Sequence, residues 1–244
     1  MSIADCHISI NRTIAVDYQA ELNDPKFIEL ARQCLIRDGY KCSLCGFTAV
    51  KNGQQVVTKN GHYKREDFRL DNLTTVCPYC FLGQRLGHSA LTDELTFIYC
   101  PELSQAAINN MLRQIYFYEG LDTPEHDPYE TLLPPEIQGV IDMKEQSSVL
   151  LSELRERVSL VSKQFDYCSL SHLKNLTGFL FDLDEESYKK RNLFFKNVRY
   201  LIKPSTLIKY NETYSKTVFS HLNGYKELEM SKSVTVIDKS LFNG

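Results

Sequence analysis

The chain has 244 residues, 43% of them hydrophobic and 24% charged, with a formal net charge of −3. A chain of that size and composition buries enough apolar surface to fold without covalent help, which excludes a disordered or fibrous protein. It lacks the broad basic excess that non-specific binding to a polyanion requires, so nucleic acid is an unfavoured partner. Apolar runs such as LTGFLF fall far short of the roughly 20 residues that span a bilayer, and MSIADCHISINRT has no basic segment ahead of an apolar core. These features point to the cytoplasm, where thiols stay reduced, so the 8 cysteines are expected to include metal ligands rather than a disulfide framework.

In chain order, HISINRTIAV alternates weakly and reads as a short strand. NDPKFIELARQCLIRDGY then reads as a helix, capped by Asn23 or Asp24, with Pro25 in its first turn and Phe27, Leu30, Ala31, Cys34 and Leu35 along one face. QQVVTKNGHYKREDFRLDNLTTVC carries a β-like run, a turn signal at Asn60-Gly61 and a polar stretch, which predicts a hairpin and loop. LTFIYC reads as a strand and SQAAINNMLRQIYFYEG as a capped helix closed by Gly120.

LDTPEHDPYETLLPPEIQG is Pro-rich and acidic, and the composition shift there predicts a boundary. Three helical pieces follow, SVLLSELRERVSLVSKQF, SLSHLKNLTGFLFD and DEESYKKRNLFFKNVRYLI, the last with acids in its first turn and Lys203-Pro204 at its end. The implied fold class is α+β. Residues 1–122 form a zinc-binding module with its following strand and helix, 123–140 a linker, 141–209 a helical part, and 210–244 a tail or docking segment.

The chemistry concentrates in two Cys-x-x-Cys pairs, Cys42/Cys45 and Cys77/Cys80. Four thiolates are the ligand set of a closed tetrahedral zinc site. Gly46 can take the positive φ that a tight knuckle needs, and CPYC stands just ahead of a helical turn. Buried thiol pairs or a redox motif are the alternatives. Cys6, Cys34, Cys100 and Cys168 read as small core residues.

A knuckle, a hairpin and a second pair at a helix start, in that order, look like a treble clef. RDGYKCSLCGF with LDNLTTVCPYC resembles the cysteine-bearing branch of the HNH endonucleases over residues 37–80. In those enzymes an Asp-His pair stands at a set interval before an Asn-Leu, the His activates water, and a polar residue after the last cysteine binds the catalytic metal. Here Asn72-Leu73 is present, but that interval lands on Val57-Thr58, and Phe81 follows Cys80. His62, in the polar loop NGHYKRED, and His88, in LGHSAL, are the histidines that a relocated site would use. Without a general base and a second metal, phosphodiester hydrolysis has no means of generating its nucleophile.

Over a wider window, IRDGYKCSLCGF, LDNLTTVCPYC, LTFIYCPELSQAAINNM and EESYKKRNLFFKNVRYL together resemble the IcmJ/DotN family of Dot/Icm type IVB secretion systems, from about residue 28 to 120 and again near 165 to 205. The resemblance implies an HNH-like fold that has lost its catalytic residues. It implies a non-catalytic cytoplasmic adaptor that binds the C-terminal region of the inner-membrane coupling ATPase DotL, beside the adaptors IcmS and IcmW, in effector export. A divergent HNH-type nuclease or nucleic-acid-binding protein is the alternative. From the residues themselves, Phe194, Phe195, Arg199 and Tyr200 in RNLFFKNVRYLIK are candidates for a partner surface, because aromatics with Arg are enriched at interface cores. The same apolar residues also fit the core face of an amphipathic helix.

Overall fold

The Asp24 side chain accepts the backbone N–H of Lys26 and so caps helix α1 (Pro25–Arg37), with Pro25 at its first position, where the missing N–H costs nothing. The structure, a computed structural model, describes residues 8–48, 53–119, 135–165 and 172–203, with 170 and 206. Phe27 and Cys34 of α1 are buried in a satellite core with Val56, Tyr63, Phe68 and Leu73, and Leu30, Ala31 and Leu35 pack at its margin. The predicted face is the observed one.

Strands β1 (Gln55–Thr58) and β2 (Leu73–Val76) pair antiparallel from Gln55↔Val76 to Thr58↔Leu73. Gly61 does take positive φ (+77°), but Asn60-Gly61 opens a long loop and does not close a tight turn. Tyr63 and Phe68 turn back from that loop into the satellite core, which is what holds it.

Helices α2 (Pro78–Gln84) and α3 (Leu86–Thr92) follow, then β3 (Leu95–Tyr99) and α4 (Gln105–Glu119), both where the sequence predicts them. The strand expected at the N-terminus is not observed among the described residues 8–16. Ser9 instead gives its N–H to Gly83 O (2.9 Å) and accepts from Leu86 N (3.1 Å), so its backbone groups serve the α2–α3 junction rather than a ladder.

The stretch read as one helix from Ser148 to Phe165 is two, α5 (Pro135–Glu156) and α6 (Val158–Phe165), and α5 starts inside the stretch read as linker. The break falls at Arg157, whose carbonyl accepts Tyr99 N of β3 (3.3 Å). Residues 120–134, most of that linker stretch, and the tail from 207 lie outside the described residues, as do Cys6 and Cys168.

After α7 (Leu173–Asp182), the helix predicted over DEESYKKRNLFFKNVRYLI is corrected. It becomes two short helices, α8 (Glu185–Lys189) and α9 (Arg191–Phe194), then strand β4 (Val198–Ile202), paired antiparallel with β3 from Leu95↔Ile202 to Tyr99↔Val198. A short apolar run fits a buried strand as well as a helix, and the tertiary partner decides. The α+β class stands. Leu82, Leu86, Phe97, Leu112, Leu154, Val161, Leu180 and Tyr200 belong to one buried cluster, so helices and strands from early and late in the chain share a core. Among the described residues no helix is long and apolar enough to cross a membrane.

Candidate metal centre

The first cysteine pair sits on a knuckle built by backbone hydrogen bonds. Cys42 N donates to Phe47 O (2.8 Å), Gly46 N to Cys42 O (2.9 Å), and Gly46 has φ +75°, the conformation for which glycine is suited. Ser43 N reaches Thr75 O of β2 (2.9 Å) and fastens the knuckle to the hairpin. The second pair is delivered by β2: the strand ends at Val76, Cys77 caps α2, and its Sγ accepts Cys80 N at 3.4 Å.

The ligand atoms of Cys42, Cys45, Cys77 and Cys80 all lie within 4.8 Å of one another, with Cys45 Sγ and Cys77 Sγ 3.6 Å apart. Four sulfurs about 2.3 Å from a tetrahedral ion stand about 3.8 Å apart, so the cluster could bind one metal ion. Cys42, Cys77 and Cys80 are buried and Cys45 is partly so.

Packed this tightly, the thiols cannot all ionise unaided. Hydrogen bonds from Cys42, Cys77 and Cys80 hold Cys45 far below the ordinary thiol range, while burial pushes Cys77 well above it and hydrogen bonding to Cys42 does the same to Cys80. A cation at the centre removes the conflict, because a coordinating thiol is deprotonated outright.

Two residues of α4 that the sequence reading did not single out complete the site. Asn109 Nδ2 donates to Cys80 Sγ (3.2 Å), and an Arg113 guanidinium nitrogen donates to Cys77 Sγ (2.7 Å) and lies 3.6 Å from Cys45 Sγ. The available signal was polar residues at four-residue steps in a helix whose other face carries Ile108, Leu112 and Ile115.

The HNH positions are elsewhere occupied. Val57, Thr58 and Phe81 are buried, and Asn72 donates its amide to Asn60 Oδ1 (3.1 Å) and Asp67 O (3.0 Å), holding the long loop together. Neither histidine joins the cysteine cluster. His62 lies 3.3 Å from Glu185, and His88 meets the Gln19 amide at 3.1 Å and the edge of Phe81. Cys34 and Cys100 are buried singly, as expected of small core residues.

The four candidate partner residues do not form one exposed face. Phe195 and Tyr200 are buried, Arg199 gives its guanidinium to the carbonyls of Leu103, Lys196 and Val198, and Phe194 is 66% exposed.

No family model matches the chain. The type 4 apparatus protein DotN of Legionella pneumophila is 33% identical to it over 102 residues, 41% of this chain and 46% of that protein. The likeness to IcmJ/DotN read from the sequence is therefore found again by direct comparison. The match spans less than half of DotN's length.

Proposed function

We propose that the chain is a non-catalytic, zinc-stapled adaptor of a type IVB secretion coupling complex. The observation that carries this is the composition of the metal centre: four thiolates complete a tetrahedron and leave no open position for substrate or water. An all-sulfur tetrahedral set favours Zn²⁺, and knuckle, hairpin and α2 follow in the order of a treble clef. Where an HNH enzyme places its histidine and its last metal ligand, this chain has Val57-Thr58 and Phe81, all buried. The likeness to DotN supplies the setting. By it, the protein binds the C-terminal region of a DotL-type ATPase with IcmS/IcmW-type adaptors and is recruited from the cytoplasm to the inner membrane. Phe194, beside Leu193 at 69% exposure, is the predicted partner residue placed to meet another chain.

The test is co-purification of the zinc-loaded chain with that ATPase region, beside a plasmid-nicking assay in Mg²⁺ and Mn²⁺. A stable complex that Phe194→Glu weakens, with no nicking, supports the adaptor. Metal-dependent nicking abolished by His62→Ala, without ATPase capture, overturns it in favour of a relocated nuclease site.

A further inference from the structure

We infer that one face of α4 is the outer shell of the metal centre and couples the thiolates to the last described strand. The inference rests on the metal reading above. Gln105, Asn109 and Arg113 recur at four-residue steps and so stand in a row along the helix. Gln105 is 1% exposed and Asn109 fully buried, positions where an amide is costly unless its groups are satisfied.

They are satisfied by one another, by sulfur and by β4. Asn109 donates to Cys80 Sγ, and its Oδ1 accepts Gln105 Nε2 at 2.9 Å. Gln105 Nε2 also donates to Tyr200 O (3.0 Å), and Gln105 Oε1 accepts Tyr200 N (2.9 Å). One side chain thus occupies both backbone groups of Tyr200, as a neighbouring strand would. The Tyr200 hydroxyl returns to the carbonyl of Tyr79, inside the second cysteine pair, at 3.1 Å.

Arg113 is held flat between aromatic rings, its guanidinium carbon 4.2 Å from the Phe47 centroid and 4.6 Å from that of Tyr79. Four thiolates around a divalent ion leave two negative charges in excess, and this guanidinium offsets one of them where the dielectric is low. Outer partners of metal ligands orient them and tune their basicity, and losing one costs about 10- to 100-fold in metal affinity.

The test uses the full zinc-loaded chain and Arg113→Met, Arg113→Lys, Asn109→Leu and Gln105→Leu. Metal content, the rate of zinc transfer to a chromophoric chelator, the sulfur-to-cobalt charge-transfer band after cobalt substitution, and hydrogen exchange over residues 198–202 are read in each. Arg113→Met and Asn109→Leu are expected to transfer zinc about 10- to 100-fold faster. Arg113→Lys keeps the charge without the planar fork and should fall between them and the unmutated chain.

Loss of an N–H donor makes sulfur more electron-rich and moves the cobalt band to lower energy, a shift that a mere packing role does not produce. Asn109→Leu should raise exchange over 198–202 as Gln105→Leu does. Transfer rates within twofold of the unmutated chain and an unmoved band overturn the outer shell. Exchange that responds to Gln105→Leu alone overturns the coupling to β4. If the unmutated chain holds no metal, the metal reading itself has failed, and that is seen before any variant is compared.

Discussion

Arg85 joins two carboxylates in the protein interior. Its side chain and that of Asp17 are fully buried, and that of Glu21 is 3% exposed. Nε donates to Asp17 Oδ2 at 2.5 Å, Nη1 donates to Glu21 Oε1 at 2.5 Å, and Nη2 also meets Asp17. Unit charges about 4 Å apart attract by roughly 4 kcal/mol at an effective dielectric of about 20. Taking each ion out of water costs several kcal/mol, so the intact trio contributes little net. Removing only the cation is different, because both carboxylates stay buried without it, at a cost of about 3–5 kcal/mol.

Arg85→Met is the perturbation of choice, since it keeps an unbranched stem against the Tyr63 ring, which lies 4.1 Å from the guanidinium carbon, and deletes the charge. Urea unfolding of the zinc-loaded chain at pH 7 reads the loss. Adding Asp17→Asn and Glu21→Gln to the same chain removes the orphaned charges and should recover most of it, a coupling that a mutant cycle measures. A loss below about 1 kcal/mol in the single variant, or a triple variant no more stable than the single, would refute the reasoning.

Chelation of the metal, or Cys77→Ser, should unfold the knuckle and hairpin first, because structural metal binding contributes on the order of 10 kcal/mol to folding; a soluble, protease-resistant Cys77→Ser chain would contradict that role. Gly61→Ala forces a side chain into φ +77° with its Cβ 3.1 Å from Ile10 O, so a loss of about 1–2 kcal/mol is expected in thermal unfolding. Burial pushes the Cys34 thiol up to about 11, so the native state keeps its proton longer than the unfolded chain and loses stability as pH rises from about 9 to 11; Cys34→Ala should flatten that limb of a stability–pH profile. Burial works against ionised Asp38, but hydrogen bonds from Arg37 and Thr75 outweigh it and bring its carboxyl down to about 2. Its contribution is complete above about pH 4 and lost as pH falls towards 2, and Asp38→Asn should remove that part of the acid limb.

What the sequence revealed is what short-range physics decides. Asp24-Pro25 and the spacing of Phe27 and Cys34 are enough to place α1, and two Cys-x-x-Cys pairs are enough to identify a ligand set. The failures share a cause. Val198 to Ile202 became a strand because β3, a hundred residues earlier, offers a ladder in register Leu95↔Ile202, and nothing within RNLFFKNVRYLI announces it. Asp17, Glu21 and Arg85 each look like ordinary solvated charges until the fold brings residues 68 apart within hydrogen-bond distance.

Asn109 and Arg113 were hidden for the same reason, since their partners are sulfurs on other elements. These long-range polar contacts also explain how the pieces cohere. Arg12 donates to the carbonyls of Leu180, Phe181 and Leu183 at the end of α7, and Tyr188 OH meets Ser9 Oγ and Ile10 N. The extended N-terminal segment is thereby fixed between the α2–α3 junction and α7–α8. It reaches α2, the helix that carries Cys80, from one side, while β4 reaches it through Gln105 and Asn109 from the other. A perturbation at either end of the described chain therefore has a short physical route to the thiolates.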